Sequence, residues 1–118
     1  RENNPEKYIG LLVEEKFKYR WRLFLKGDSE NIKEIKKEIK SVDFFHYDSD
    51  KSYLGRQKTF YEIMPLLNNN SILVFDDIQD NCFFHDLVYQ EDFQNWYIFE
   101  FERKYCGLIF FHKADVNI

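Results

Sequence analysis

Residues 42–56 read VDFFHYDSDKSYLGR, an apolar run that empties into Asp48, Ser49, Asp50, Lys51 and Ser52. Val42, Phe44, Phe45 and Tyr47 favour extended backbone, and the lack of strict polar alternation suits a strand covered on both faces, as in a parallel sheet. The charge would then sit at the strand's carboxyl end. Open α/β sheets bind ligands at that edge, because successive parallel strands deliver their following loops to one side. Residues 71–80, SILVFDDIQD, repeat the design, a second apolar run ending in Asp76 and Asp77. Two parallel strands would bring the acidic ends together.

The chain has 118 residues, enough for a single domain with one core. With 13 Phe and 8 Tyr it carries too much aromatic carbon for a disordered segment, although 32% of residues are charged. A net charge of -4, with the lysines at 33, 36, 37 and 40 interleaved with Glu34 and Glu38, argues against nucleic acid as a partner. Cys82 and Cys106 show no CxxC spacing and the histidines at 46, 85 and 112 are scattered, so neither a zinc site nor a disulfide framework is indicated. Two reduced thiols place the protein in the cytoplasm. No apolar run approaches the ~20 residues that span a membrane, and no signal peptide is visible. The chain opens on Arg1 and on a helical pattern with no strand before it, and so reads as a piece of a longer chain.

Along the chain, residues 5–17 place Tyr8, Leu11 and Leu12 on one helical face behind Pro5, and residues 21–25, WRLFL, read as a short strand feeding the Gly27-Asp28-Ser29 turn. Asp28 or Ser29 can cap a helix over residues 30–40 that turns Ile32, Ile35 and Ile39 inward. Strand 42–47 leads to a helix over 52–67 with Phe60, Ile63, Met64 and Leu67 inward, then an Asn68-Asn69-Asn70 turn and strand 72–75. Asp80 can cap a helix running through Phe83, Phe84, Leu87 and Val88 to about residue 92. Strands 96–101 and 106–111 close the chain, and the connection over 102–105 is short enough only for antiparallel neighbours. The alternation predicts a mainly parallel α/β sheet with an antiparallel C-terminal hairpin. Phe83, Phe84, Trp96, Tyr97 and Phe99 read as core, Asp50 and Asp80 as structural.

These residues resemble the C-terminal two-thirds of a class I S-adenosylmethionine-dependent methyltransferase, whose Rossmann-like sheet ends in an antiparallel hairpin. WRLFLKGDS resembles that family's third strand and its turn, VDFFHYDSDKSYLGR the fourth, SILVFDDIQD the fifth, and the final hairpin the sixth and seventh. Residues 1–118 would thus form a single partial domain without the first two strands. Within the class the chain is similar to the metal-assisted small-molecule O-methyltransferases of the catechol and macrocin types. That likeness implies Asp48, Asp76 and Asp77 as ligands of magnesium or another divalent cation, with Asp where catechol enzymes carry Asn at the second position of the pair. It implies Lys51 as general base, and Gly27, Asp28, Ser29 and Asp48 against the cofactor. The glycine-rich loop and the ribose-binding acid have no counterpart in these residues.

The chemistry agrees with the resemblance. Methyl transfer from a sulfonium to a hydroxyl needs that hydroxyl to lose its proton, and a hard cation held by carboxylates lowers its pKa. Lys51 could accept the proton if burial or charge brought its own pKa down. A cation would also explain how three carboxylates coexist at one edge, whereas the plain alternative makes them helix caps and solvated loop groups, and Lys51 a surface lysine. The expected activity is methylation of a small hydroxylated acceptor, a sugar or polyketide-type molecule. A rival is a non-catalytic remnant serving as an interaction or assembly module, its exposed strand edges pairing with another chain or a second copy. A receiver-like signalling domain is disfavoured, because its lysine would follow a later strand and it would lack the closing hairpin.

Overall fold

The β-favouring run at residues 42–47 forms strand β1 (Val42–Tyr47) of a four-stranded sheet in the computed structural model, which describes residues 8–116. With β2 (Leu67–Phe75), β3 (Trp96–Phe101) and β4 (Lys104–Phe110) the order is β1-β2-β4-β3. Only β1 and β2 pair in parallel, joined by helix α2 (Tyr53–Ile63), while β4 is antiparallel to β2 and to β3. Mixed α/β is therefore correct, but one pairing in three is parallel, because the hairpin folds its second strand back against β2. The connection is tighter than the expected four residues. Glu102 and Arg103, at φ 49° and 65°, make a two-residue turn whose left-handed backbone matches the twist of a hairpin.

Helices α2 and α3 (Phe83–Gln90) cover one face of the sheet. Tyr47, Leu67, Leu73, Phe75 and Ile109 meet Phe60 of α2 and Phe83, Phe84, Leu87 and Val88 of α3 there. Gly107 of β4 is required by close approach: a Cβ would come within 2.4 Å of the buried Phe84 ring. Gly107→Ala should therefore overpack the core and cost about 1–3 kcal/mol, read as a lowered urea midpoint with an unchanged slope.

The other face departs from expectation. Phe44 is 60% exposed, and Tyr97, Phe99 and Phe110 are exposed with it, so β1 is covered on one side only and Tyr97 and Phe99 are not core. Cross-strand register explains the set, since Phe44, Ile72 and Phe110 align in one row and Val74, Leu108 and Tyr97 in the next.

Upstream, residues 5–7 of the expected first helix lie outside the described residues, and residues 8–12 form turns ahead of a 3-10 helix, Glu15–Arg20. Residues 21–25 are not a strand: they pair with nothing in the sheet, and Leu23 and Leu25 are exposed. Helix α1 (Asp28–Glu38) starts after Gly27, so Asp28 and Ser29 lie in its first turn and neither caps it. Asn31 instead binds the turn, its Nδ2 donating to Lys26 O at 2.8 Å and its Oδ1 accepting from Lys26 N. Of the expected inward isoleucines only Ile32 is buried, and Ile39 is exposed beyond the helix end. Helix α2 is capped by Ser52 Oγ, which accepts from Gly55 N at 3.0 Å, and gives way to a 3-10 turn at Met64–Leu66 that contains Pro65. The asparagines at 68–70 lie within β2 and not in a separate turn. There two residues of β1 span five of β2, and Asn68 Nδ2 donates to Ser41 and Asp43. Asp80 sits in a 3-10 turn, and Asn81 Oδ1 accepts from Phe83 N at the start of α3.

Candidate metal centre

The parallel register pairs Tyr47 with Phe75, so Asp48 and Asp76 leave the sheet side by side. Asp76 N donates to Tyr47 O at 3.0 Å, which extends the ladder one step. The next residue, Asp77, turns into left-handed backbone at φ 50°, a conformation Asp tolerates better than most because its short side chain bonds locally. Its amide donates to Asp76 Oδ1 at 2.9 Å. Asp48, Asp76 and Asp77 each thereby offer an oxygen atom, all within 4.8 Å of one another. Oxygens bound to one hard divalent ion at ~2.1–2.5 Å lie at most roughly 4–5 Å apart, so the donor set fits such an ion in both chemistry and span.

Lys51 lies among these carboxylates. Its Nζ pairs with Asp48 and, at 3.2 Å, with Asp77. The Lys51 bond holds the Asp48 carboxyl below its ordinary pKa, and bonds from Gln79 and then Lys51 do the same for Asp77. Partial burial pulls the Lys51 pKa down, but its two carboxylate partners outweigh that and leave it raised. Lys51 is thus held as an ammonium here, and must leave both partners before it can act as a base.

The signs fix a pH window for these pairs. Lowered carboxylates contribute stability that is present above their unfolded pKa of ~3.9 and lost as pH falls through the folded value, while raised Lys51 contributes below ~10.4 and loses it as pH rises through its own. The stability difference between wild type and Asp48→Asn should accordingly be constant through neutral pH and shrink below about pH 4, as read from urea midpoints.

The expected cofactor residues gather beside the acids. Ser49 Oγ donates to Asp28 Oδ1 at 2.9 Å and Ser29 Oγ donates to Glu62 Oε1 at 2.9 Å, which ties the start of α1 to β1 and α2. A cleft of about 340 Å³ runs from Phe24, Asp28 and Ile32 to Phe45, Tyr47 and Asp48, and one of about 490 Å³ is lined by Gly27, Asp28, Ser29 and Ser49. Arg56, Gln79 and Asn81 also support the site, though no motif in the sequence marks them. Asn81 Nδ2 donates to Lys51 O at 2.7 Å, and Gln79 bonds both Asp77 and the amide of Tyr105. Spacing could have found Arg56, since residues 56, 60 and 63 share the inward stripe of α2 and all three are buried.

No protein-family model matches the chain, and no curated protein or solved structure matches it either. Among the described residues, no helix is long and apolar enough to cross a membrane.

Proposed function

We propose that this chain carries the site of a class I S-adenosylmethionine-dependent methyltransferase that methylates a hydroxyl of a small molecule at a divalent-cation site built from Asp48, Asp76 and Asp77. The convergence of those three carboxylates on one point, at the carboxyl ends of two parallel neighbours, carries the reading. The sheet supports it, because two parallel strands followed by an antiparallel hairpin are what the family's last four strands would supply.

The three aspartates would hold the cation, while Asp28 and Asp48 in one cleft and Gly27, Asp28 and Ser29 in the other would lie against the cofactor. When bound, S-adenosylmethionine supplies an electrophilic methyl group on a sulfonium. A divalent ion held by carboxylates supplies charge that lowers the pKa of an acceptor hydroxyl. The chain's own part is to fix that charge beside the cleft and to take the proton. Lys51, 33% exposed at its side chain and paired with Asp48 and Asp77, would accept it once released from them.

A calorimetric titration with S-adenosylmethionine, with and without magnesium, on wild type and Asp48→Ala tests the reading. Heat that requires Asp48 is expected, and a folded wild type giving no heat with either ligand would sink it. A second reading, an assembly module in the same cellular compartment, the cytoplasm, is favoured by the exposed Phe44, Tyr97, Phe99 and Phe110 and by the outer edges of β1 and β3, which pair with no strand among the described residues. Under it the chain would sediment as an oligomer that Phe99→Lys dissociates.

A further inference from the structure

We infer that Arg56 is the positioning residue of the acidic site, acting through the backbone of the residues that form it. Among the described residues Arg56 is the largest fully buried side chain, at 1% exposure. A buried guanidinium is ordinarily neutralised by a carboxylate, and Asp48, Asp50, Asp76 and Asp77 all stand on the loops it touches. Its charge reaches Asp50, but its hydrogen bonds go to main-chain carbonyls. Nε donates to Lys51 O at 3.2 Å, Nη1 to Asp76 O at 2.8 Å and Nη2 to Asp77 O at 3.2 Å, while the cationic carbon sits 5.7 Å from the centre of the Tyr47 ring.

This choice of acceptors has two effects. The fork locks the loop after β1 to the loop after β2, alongside the bonds from Asp76 N to Tyr47 O and Asn81 Nδ2 to Lys51 O and the Lys51–Asp77 ion pair. It also leaves the carboxylates of Asp48, Asp76 and Asp77 free of arginine, so that they converge on one another and on Lys51. Bonding Asp77 O stabilises the left-handed turn that brings that carboxylate into the cluster. A lysine could supply the charge but not three donors in a fixed plane.

The inference rests on the cluster being a cation site, and its test separates the two. Arg56→Lys and Arg56→Met are compared with wild type by amide hydrogen exchange without metal and by Mn²⁺ titration well below the unfolding transition. Positioning predicts that the Asp76 and Asp77 amides of Arg56→Lys exchange faster while Leu73, Phe75 and Ile109 keep their protection, with Mn²⁺ held about tenfold more weakly, as for other groups that orient metal ligands. Core and site amides losing protection together, with Mn²⁺ affinity unchanged, would overturn it. Should Arg56→Met not fold, Arg56→Lys carries the comparison, since it keeps charge over Tyr47. A wild type that binds no Mn²⁺ removes the cation reading alone, and the exchange pattern then decides the role of Arg56.

Discussion

Phe75→Ala is expected to lose about 3–5 kcal/mol, a large part of the total stability of a domain this size. Phe75 is fully buried at the end of β2, between Tyr47 of β1 and Gly107 of β4. Its ring centre lies 5.7 Å from that of Phe83, 6.1 Å from those of Tyr47 and Phe84, and 6.4 Å from that of Phe45. Those four rings come from the sheet and from α3, so the space left by a missing ring cannot close without moving both layers. Because Phe75 directly precedes Asp76, the acidic site should loosen in the same transition. Phe44→Ala is the control, an exposed position that should change stability by no more than about 0.5 kcal/mol. Equal urea midpoints for the two variants would contradict this account of the core.

Lys51→Met should bind a divalent cation more tightly than wild type, by about tenfold, the scale on which partners of metal ligands act. The direction follows from competition. Lys51 occupies Asp48 and Asp77, so any ion entering the cluster must displace an ammonium from two of its three ligands. Without metal the variant leaves three carboxylates facing one another, and its stability relative to wild type should improve as pH falls toward 4 and their charge is lost. Under the proposed methyltransferase function, with Lys51 taking the acceptor's proton, methyl transfer should fall even as cation affinity rises. A variant that binds Mn²⁺ no better than wild type would show that Lys51 and the ion do not share ligands.

The elements nearest the site were the most legible in the sequence. Two apolar runs ending in carboxylates are a strong signal, because a buried strand must end where charge begins, and β1, β2 and the acidic cluster all follow from it. The hairpin was legible from its short connection, but its turn was not, since neither Glu102 nor Arg103 is the Gly or Asn that usually marks left-handed backbone. Residues 21–25 looked like a strand because local propensity favours one, yet a strand is made by a bonding neighbour and this segment has none among the described residues. The asparagines at 68–70 have the composition of a turn but are taken up as an irregularity in β2, where Asn68 bonds across to Ser41 and Asp43. Exposure on the second sheet face was hidden for a related reason: Phe44 is as apolar as Phe45, and only packing shows which one is covered. Arg56 was passed over because arginine is normally read as surface, although its spacing from Phe60 and Ile63 places it inward.

The most direct test of the central claim is an Mn²⁺ titration of wild type beside Asp48→Asn/Asp76→Asn/Asp77→Asn, with free ion read by electron paramagnetic resonance and folding checked by circular dichroism. One ion per wild-type chain, and none on an equally folded triple variant, is the predicted result. A folded wild type that leaves Mn²⁺ free up to about 10 mM, above the range of even weak protein sites for hard divalent ions, would contradict it, as would a triple variant that binds as well as wild type.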